Sequence, residues 1–354
     1  MLNYIIRRVL LIPVLLFGVT LLIFMMLQFL SPVERTALYV RDFPKNENAI
    51  PALIRRYGFD QPFYVQYWNW LMGKVDSNTG EREGGILFGN FGYSRSASQP
   101  VAELIIRRFP NTLDLTLWAV GPVIFVGIWL GVQAAVHHNG IIDQAARIFS
   151  VVGTSFPTFV FGLLILLLFY AELHWFAPGK LSDAFMRVVE SDDFRRYTSL
   201  ISIDALLNGR IDIFIDALKH MIMPVLTLSY INWATFLRLT RSSMLETLRM
   251  EYVTTARAKG LPERDVIYKH AQPNAMLPII TLAGFSVVGL LGGVVITETV
   301  FNYPGIGSAA ARAATSLDVV AMLGFALFDG FILIVAALIV DVMYAVIDPR
   351  VRLS

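Results

Sequence analysis

The chain has 354 residues, a formal net charge of +2, 56% apolar residues, only 16% charged residues and no cysteine; its mean hydropathy is +0.60. A water-soluble domain carries about 25% charged residues, so this composition excludes one, and so small a positive excess leaves no electrostatic footprint for nucleic acid. Without cysteine, disulfide frameworks, thiolate metal sites and cysteine nucleophiles are excluded as well, and what remains is a membrane protein.

A bilayer core about 30 Å thick is crossed by roughly 20 apolar residues in helical conformation. Residues 9–30 are the first such window and carry no charge. Arg7 and Arg8 precede it as in a signal peptide. The run is longer than the roughly 7–15 residues of a signal sequence, and no small-x-small cleavage pattern follows at Phe29-Leu30-Ser31-Pro32, so a retained helix is predicted.

The stretch 31–114 reads as ordered structure. Residues 52–57 look helical and are stopped by Gly58; Phe63, Tyr64, Tyr67, Trp68 and Trp70 then recur with helical spacing. That aromatic run fits a helix at the membrane interface, where Trp and Tyr accumulate, or a docking face for an external partner. Residues 76–85 form a polar, glycine-containing tip. Residues 100–109 predict a further helix with Pro100 in its first turn, leading into the second uncharged window at 115–136.

His137-His138-Asn139-Gly140 marks a short turn before the third window, 148–171. Adjacent histidines point to different faces of a helix, so no shared metal site is expected there. Residues 181–218 mix acids with apolar residues and suggest no chemistry. The fourth window, 221–237, is shorter and contains Tyr230 and Asn232; the fifth, 275–297, is uncharged, and Gly284, Gly289, Gly292 and Gly293 allow close helix packing in it. The sixth, 319–340, holds one acid, Asp329.

Between the fourth and fifth windows lies the segment 242–278. Good helix formers over 242–259 are followed by Gly260 and Pro262, a helix stop. A second helix begins with Glu263 and Asp265, which suit its positive end, and is predicted to finish near Gln272-Pro273. Small residues Ala256 and Ala258 beside basic Arg257, Lys259 and Arg264 permit close approach by a partner protein in helix-in-groove fashion. The same cations could simply set topology, and periodicity does not separate the two. Lysine and arginine cluster before the first window, in 137–147, after the fourth window and after the sixth, which puts both termini in the cytoplasm.

No phosphate-binding Gly-x-x-x-x-Gly-Lys-Ser/Thr loop, His-Glu-x-x-His or Gly-x-Ser-x-Gly pattern occurs. Asp329 and Asp341 sit on one predicted helix about 18 Å apart, too far to share a substrate atom as a protease pair. An acid inside the membrane is by default a functional candidate, so Asp329 is the candidate pathway residue, expected to face the translocation route and to favour a solute carrying an amine. Asp341 is expected to pair with a neighbouring arginine. No internal repeat is visible, which weighs against a self-sufficient, ion-gradient-driven transporter or channel; that reading is the alternative.

The run Thr254-Thr255-Ala256-Arg257-Ala258-Lys259-Gly260-Leu261-Pro262, continued by His270-Ala271 and Asn274-Ala275-Met276-Leu277-Pro278, resembles the EAA loop of ATP-binding-cassette importer permeases, in the form used by the dipeptide, oligopeptide and nickel uptake family. Four further stretches are similar to that family: Tyr57-Gly58-Phe59-Asp60-Gln61-Pro62 and Phe88-Gly89-Asn90-Phe91-Gly92-Tyr93-Ser94 outside, Thr297-Glu298-Thr299-Val300-Phe301-Asn302-Tyr303-Pro304-Gly305-Ile306-Gly307 after the fifth window, and Val340-Asp341 through Asp348-Pro349-Arg350 at the C-terminus. Thr254 and Thr255 stand where the motif has Glu and Ala, Ser31-Pro32-Val33-Glu34 replaces a Pro-Gly-Asp-Pro turn, and 181–218 is longer than usual.

The resemblance implies an all-α membrane protein with six transmembrane helices of importer-permease type. Residues 1–30 would be the N-terminal tail and first helix, 31–114 a large external segment, and 115–354 the permease core with its coupling loop at 242–278. It implies a second homologous permease, two ATPase subunits that carry ATP and Mg²⁺, an external solute-binding protein, and a prokaryotic inner membrane as location. The chain itself would bind no cofactor, metal or nucleic acid and would be no enzyme. Thr254, Ala256, Arg257, Ala258, Lys259, Gly260, Leu261 and Arg264 would couple to the ATPases. Glu298, Pro304, Gly305, Gly307, Asp341, Asp348 and Pro349 would be structural, with Glu298 bracing the Pro304-Gly305 turn.

Overall fold

Long apolar windows satisfy their backbone donors and acceptors internally only as helices, and helices dominate the computed structural model, which describes residues 2–39, 49–75 and 82–347. In chain order they are α1 (Leu2–Leu27), α2 (Pro32–Tyr39), α3 (Ala49–Tyr57), α4 (Phe63–Met72), α5 (Val101–Val136), α6 (Ile141–Ser155), α7 (Thr158–Leu166), α8 (Asp183–Glu190), α9 (Ile201–Leu207), α10 (Ile211–Thr247), α11 (Glu251–Ala258), α12 (Glu263–Asp265), α13 (Gln272–Ala275), α14 (Leu277–Leu291), α15 (Val295–Val300), α16 (Ile306–Thr315) and α17 (Val319–Ile347). Wide π-turns occupy Leu167–Glu172 and Val266–Ala271. Two-residue antiparallel ladders join Lys74–Val75 to Arg82–Glu83 and Tyr93–Ser94 to Gln99–Pro100. Part of the expected polar tip, 76–81, lies outside the described residues.

Among the described residues, α1, α5 and α17 are long and apolar enough to cross a membrane singly. Two further candidates exist only as bent pairs: α6 with α7 and its π-turn, bent by 100°, and Glu263–Ala275 with α14, bent by 55°. The third window expected from the sequence is therefore bent within itself, whereas the bend before α14 falls at the start of the fifth window. The breaks fall at proline, where the ring removes an N–H and clashes with the preceding turn: Pro157 caps α7, and Pro278 sits in the first turn of α14. The fifth window is interrupted again after Leu291, where Gly293 takes φ +95° before α15 restarts. The fourth window lies inside α10, 37 residues long, whose polar residues keep it outside the apolar set.

The chain divides into two compact units, Met1–Phe109 with Ile306–Ser354, and Pro110–Gly305. In the first, α4 packs on α1: Tyr67 Oη and Thr20 Oγ1 lie 2.9 Å apart, and Phe24 meets Phe63, Tyr67 and Trp70 at ring-centroid distances of 5.3, 5.4 and 5.3 Å. The aromatic run thus spends one face inside the protein, while Tyr64 and Trp68 stay exposed. Val101, Leu104 and Ile105 form a second cluster with α16 and with Phe325 of α17.

In the second unit, glycines bring helices together. A Cβ at Gly127 or Gly131 of α5 would collide with Phe236 or Thr240 of α10, and one at Gly153 of α6 with Ala234. About a third of the way along α5, Asp114 accepts from the backbone N–H of Ser202 at 3.1 Å and from its hydroxyl, while Trp118 Nε1 donates to Ser202 Oγ at 2.9 Å. Those bonds tie down a small cap, α8 and α9, with its own core of Leu181, Val189, Phe194, Ile201 and Ile213. Segment 181–218 is therefore a folded cap, an order its mixed composition did not reveal.

Candidate functional site

The segment 251–275 folds as a hairpin. Met250, in extended conformation, caps α11, whose C-terminus turns through Gly260 at φ +76°. Leu261 N donates to Ala256 O at 3.4 Å and Gly260 N to Arg257 O at 2.9 Å, the paired bonds of a Schellman turn. The left-handed position explains why glycine ends this helix. Pro262 then caps the second arm.

Three expectations are corrected here. The helix expected over 242–259 is broken at 248–250, between α10 and α11. The second arm runs past Gln272-Pro273 to Ala275: Pro273 cannot donate to the ladder, and the π-turn just before it takes up the lost register. Ala256 does not face a partner. It is buried with Val253, Val266 and Ala271, so its small size lets the two arms of the hairpin approach each other.

The remaining sequence-singled residues, Thr254, Arg257, Ala258, Lys259, Gly260, Leu261 and Arg264, are exposed together around the corner. Arg257 forks onto Glu263, with Nη2–Oε1 at 2.8 Å and Nε–Oε2 at 3.1 Å, and Lys269 pairs with Asp265 at 2.8 Å. The base of the hairpin is held where Ile267 and Ala275 pack with Val132 and Ala135 of α5 and Met244 of α10, and where Ser243 Oγ donates to Ala275 O at 2.7 Å. An apolar interior, a fixed corner and an exposed polar and cationic face make a rigid surface element.

The Glu298 elbow is the reverse case. Glu298 is fully buried; its carboxylate accepts from Thr112 Oγ1 at 2.8 Å, and its carbonyl from Tyr303 N at 2.7 Å. Asn111 Nδ2 donates to Pro304 O at 2.8 Å. A Cβ at Gly305 would run into the Glu298 carboxylate. Gly307 is buried in α16, and Asp329 is half-buried on α17. Asp341 lies on α17 with its side chain outside the described residues, and Asp348 and Pro349 lie outside them altogether.

Two clusters had no sequence signal. Asp143, fully buried near the start of α6, receives Arg241 at 2.5 and 2.9 Å and Asn139 N at 3.0 Å, with His138 Nδ1 at 3.4 Å. His138 thus joins an acid–arginine cluster. Asp318 caps α17 by accepting from Ala321 N at 3.1 Å and holds the turn after Tyr93 through Ser94 Oγ at 2.7 Å and Ser96 N at 2.9 Å. Burial pushes the Asp318 carboxyl up, but these bonds outweigh it and hold it below the usual carboxylate range. Partners 98 or more residues away leave no local pattern. The close helix contacts did have one: Gly127 and Gly131 form a Gly-x-x-x-Gly pair in the second window.

Apolar helices long enough to span a bilayer, joined to an exposed hairpin, define a membrane-integral helical protein. The model of binding-protein-dependent transport system inner membrane components matches residues 124–353, and the model of their N-terminal part matches residues 1–116. The chain is 35% identical to the dipeptide transport system permease protein DppB of Escherichia coli K12 over 355 residues, 99% of each chain. It is 36% identical to the probable D,D-dipeptide transport system permease protein DdpB of the same organism, over 83% of this chain and 82% of the relative. It is 33% identical to the oligopeptide transport system permease protein AppB of Bacillus subtilis 168, over 99% of each. The chain belongs to the family of inner-membrane components of binding-protein-dependent transport systems.

Proposed function

We propose that this chain is one permease subunit of an ATP-driven peptide importer, crossing the membrane six times with both termini in the cytoplasm. With a second, homologous permease it forms the pore. Two ATPase subunits carry ATP and Mg²⁺, and an external binding protein delivers the solute. The observation that carries this reading is the hairpin corner at Gly260-Leu261, fixed by its own backbone bonds, exposed, and seated on the ends of α5 and α10. Closure of the ATPases on ATP pushes on that corner, and its anchoring on two long helices passes the displacement into the pore. Thr254, Arg257, Ala258, Lys259, Leu261 and Arg264 make the contact; Ala256 keeps the arms closed.

Topology is supported by α5 itself. Asp114, a third of the way along it, meets the 181–218 cap, and Ala135 near its C-terminus meets the hairpin base; the helix between the two spans about 32 Å at 1.5 Å per residue, close to the bilayer core. The loop 137–147 reaches Arg241 through Asp143, on the hairpin side, which groups the basic loops on one face. Residues 31–114 and 181–218 are then external, and 115–354 is the permease core. A peptide solute rests on relatives named for dipeptide and oligopeptide transport. Asp329 is the pathway residue proposed to favour an amine-bearing solute; uptake kinetics of Asp329→Asn unchanged for charged and neutral solutes alike would remove it from that role.

The test is a mild-detergent pull-down of the tagged chain from its native cells. A second permease and P-loop ATPases should co-purify, and Gly260→Trp should release the ATPases while keeping the permease pair. The chain emerging alone, under conditions that preserve control complexes, would favour a gradient-driven transporter instead.

A further inference from the structure

Within the first unit a cavity of about 470 Å³ opens between α3, α4 and the ends of α1 and α17. One wall is apolar: Phe24, Leu27, Trp70, Leu323 and Leu327. Leu27 closes the apolar span Val9–Leu27, and Leu323 and Leu327 stand near the start of the span Val319–Val340, within about 12 Å of its end at 1.5 Å per residue. The cavity therefore sits at the depth where span ends give way to headgroups.

The other wall is cationic and built. Arg35 is only 8% exposed; its Nη1 donates to Gln28 Oε1 and Gln66 Oε1, both at 2.7 Å, and its guanidinium lies 5.6 Å over the Phe59 ring. Gln66 is itself fixed by bonds to Phe59 O at 3.1 Å and Gln61 O at 2.6 Å. Exposed Arg56 and Lys74 complete that wall, with Lys74 Nζ donating to Arg56 O at 3.3 Å. Among the described residues that line the cavity there is no Asp or Glu.

We propose that this cavity binds an anionic phospholipid, its phosphate on Arg35, Arg56 and Lys74 and the upper part of one acyl chain along Phe24, Leu27 and Leu323. Guanidinium and ammonium groups match a phosphate oxygen set, and their place beside the span ends puts them at headgroup depth. A free anion would use the cationic wall and leave the apolar wall idle; an apolar solute would do the reverse. A lipid uses both. The proposal needs only that the chain is membrane-integral and does not depend on the importer reading.

The experiment is native mass spectrometry of the full chain in detergent, titrated with short-chain phosphatidylglycerol or with phosphatidylcholine of the same chain length. Phosphatidylglycerol should bind more tightly. The double variant R56Q/K74Q should weaken it about thirtyfold and leave phosphatidylcholine unchanged. K259Q/R264Q, which removes the same charge at the hairpin, should change neither. Equal binding of both lipids to the unmodified chain, an equal loss in the hairpin variant, or displacement of phosphatidylglycerol by inorganic phosphate at matching concentration would each overturn the proposal.

Discussion

The hairpin and the Glu298 elbow both carry family motifs, yet the structure uses their residues in opposite ways. In the hairpin nearly every motif side chain is exposed, and the bonds that shape the corner connect residues six apart or fewer. In the elbow Glu298 is fully buried, and its carboxylate is held by Thr112, 186 residues away in sequence. Residues of a motif can therefore stand exposed on the surface, or lie buried where a polar group is tolerated only with a fixed set of donors. Burial separates the two.

The comparison can be broken most sharply at the elbow. Gly305→Ala puts a methyl group where the Glu298 carboxylate lies and should cost about 3 kcal/mol through overpacking and lost hydrogen bonding. The readout is a lower apparent unfolding temperature and a reduced yield of the detergent-purified chain. A Gly305→Ala protein as stable as the parent would show that the elbow is loosely held. At Gly260, by contrast, an added Cβ meets no atom within 4 Å, so the cost of Gly260→Trp should come chiefly from the left-handed backbone and its effect should fall on ATPase retention.

Asp318 should show an intermediate effect with a pH signature. Its carboxyl is held below its ordinary value, so its stabilisation is present above the unfolded-state pKa, about 4, and is lost as pH falls through the lower folded value. Asp318→Asn should therefore be less stable than the parent at neutral pH, and the two unfolding temperatures should converge in acid. A constant gap down to low pH would assign the effect to packing.

The smallest effect belongs to the hairpin ion pair. Arg257 and Glu263 are 41% and 57% exposed, and such pairs contribute about 1 kcal/mol or less. Glu263→Gln should leave the unfolding temperature nearly unchanged. A large destabilisation would mean that the corner depends on that pair more than on its backbone turn.

How much could be read beforehand follows the range of the forces involved. Gly260, Pro262 and the acids after them announced the corner, because a left-handed turn and a proline act on their immediate neighbours. The break at 248–250 and the inward turn of Ala256 were not legible, since both depend on what the second arm presents. The aromatic run was legible as a helix, but only packing on α1 separated buried Tyr67 from exposed Tyr64 and Trp68.

By itself, the sequence determined that the chain lives in a membrane, which windows are apolar, where glycine and proline interrupt them, and, through its motifs, the family. These follow from local composition and backbone stereochemistry, which need no distant partner. Tertiary structure alone decided that the 181–218 segment is a folded cap, that Asp143 is paired with Arg241 and Asp318 with Ser94, and that Arg35, Arg56 and Lys74 line one cavity. A buried charge must find compensating groups wherever the fold brings them, and their separation along the chain leaves no pattern to read.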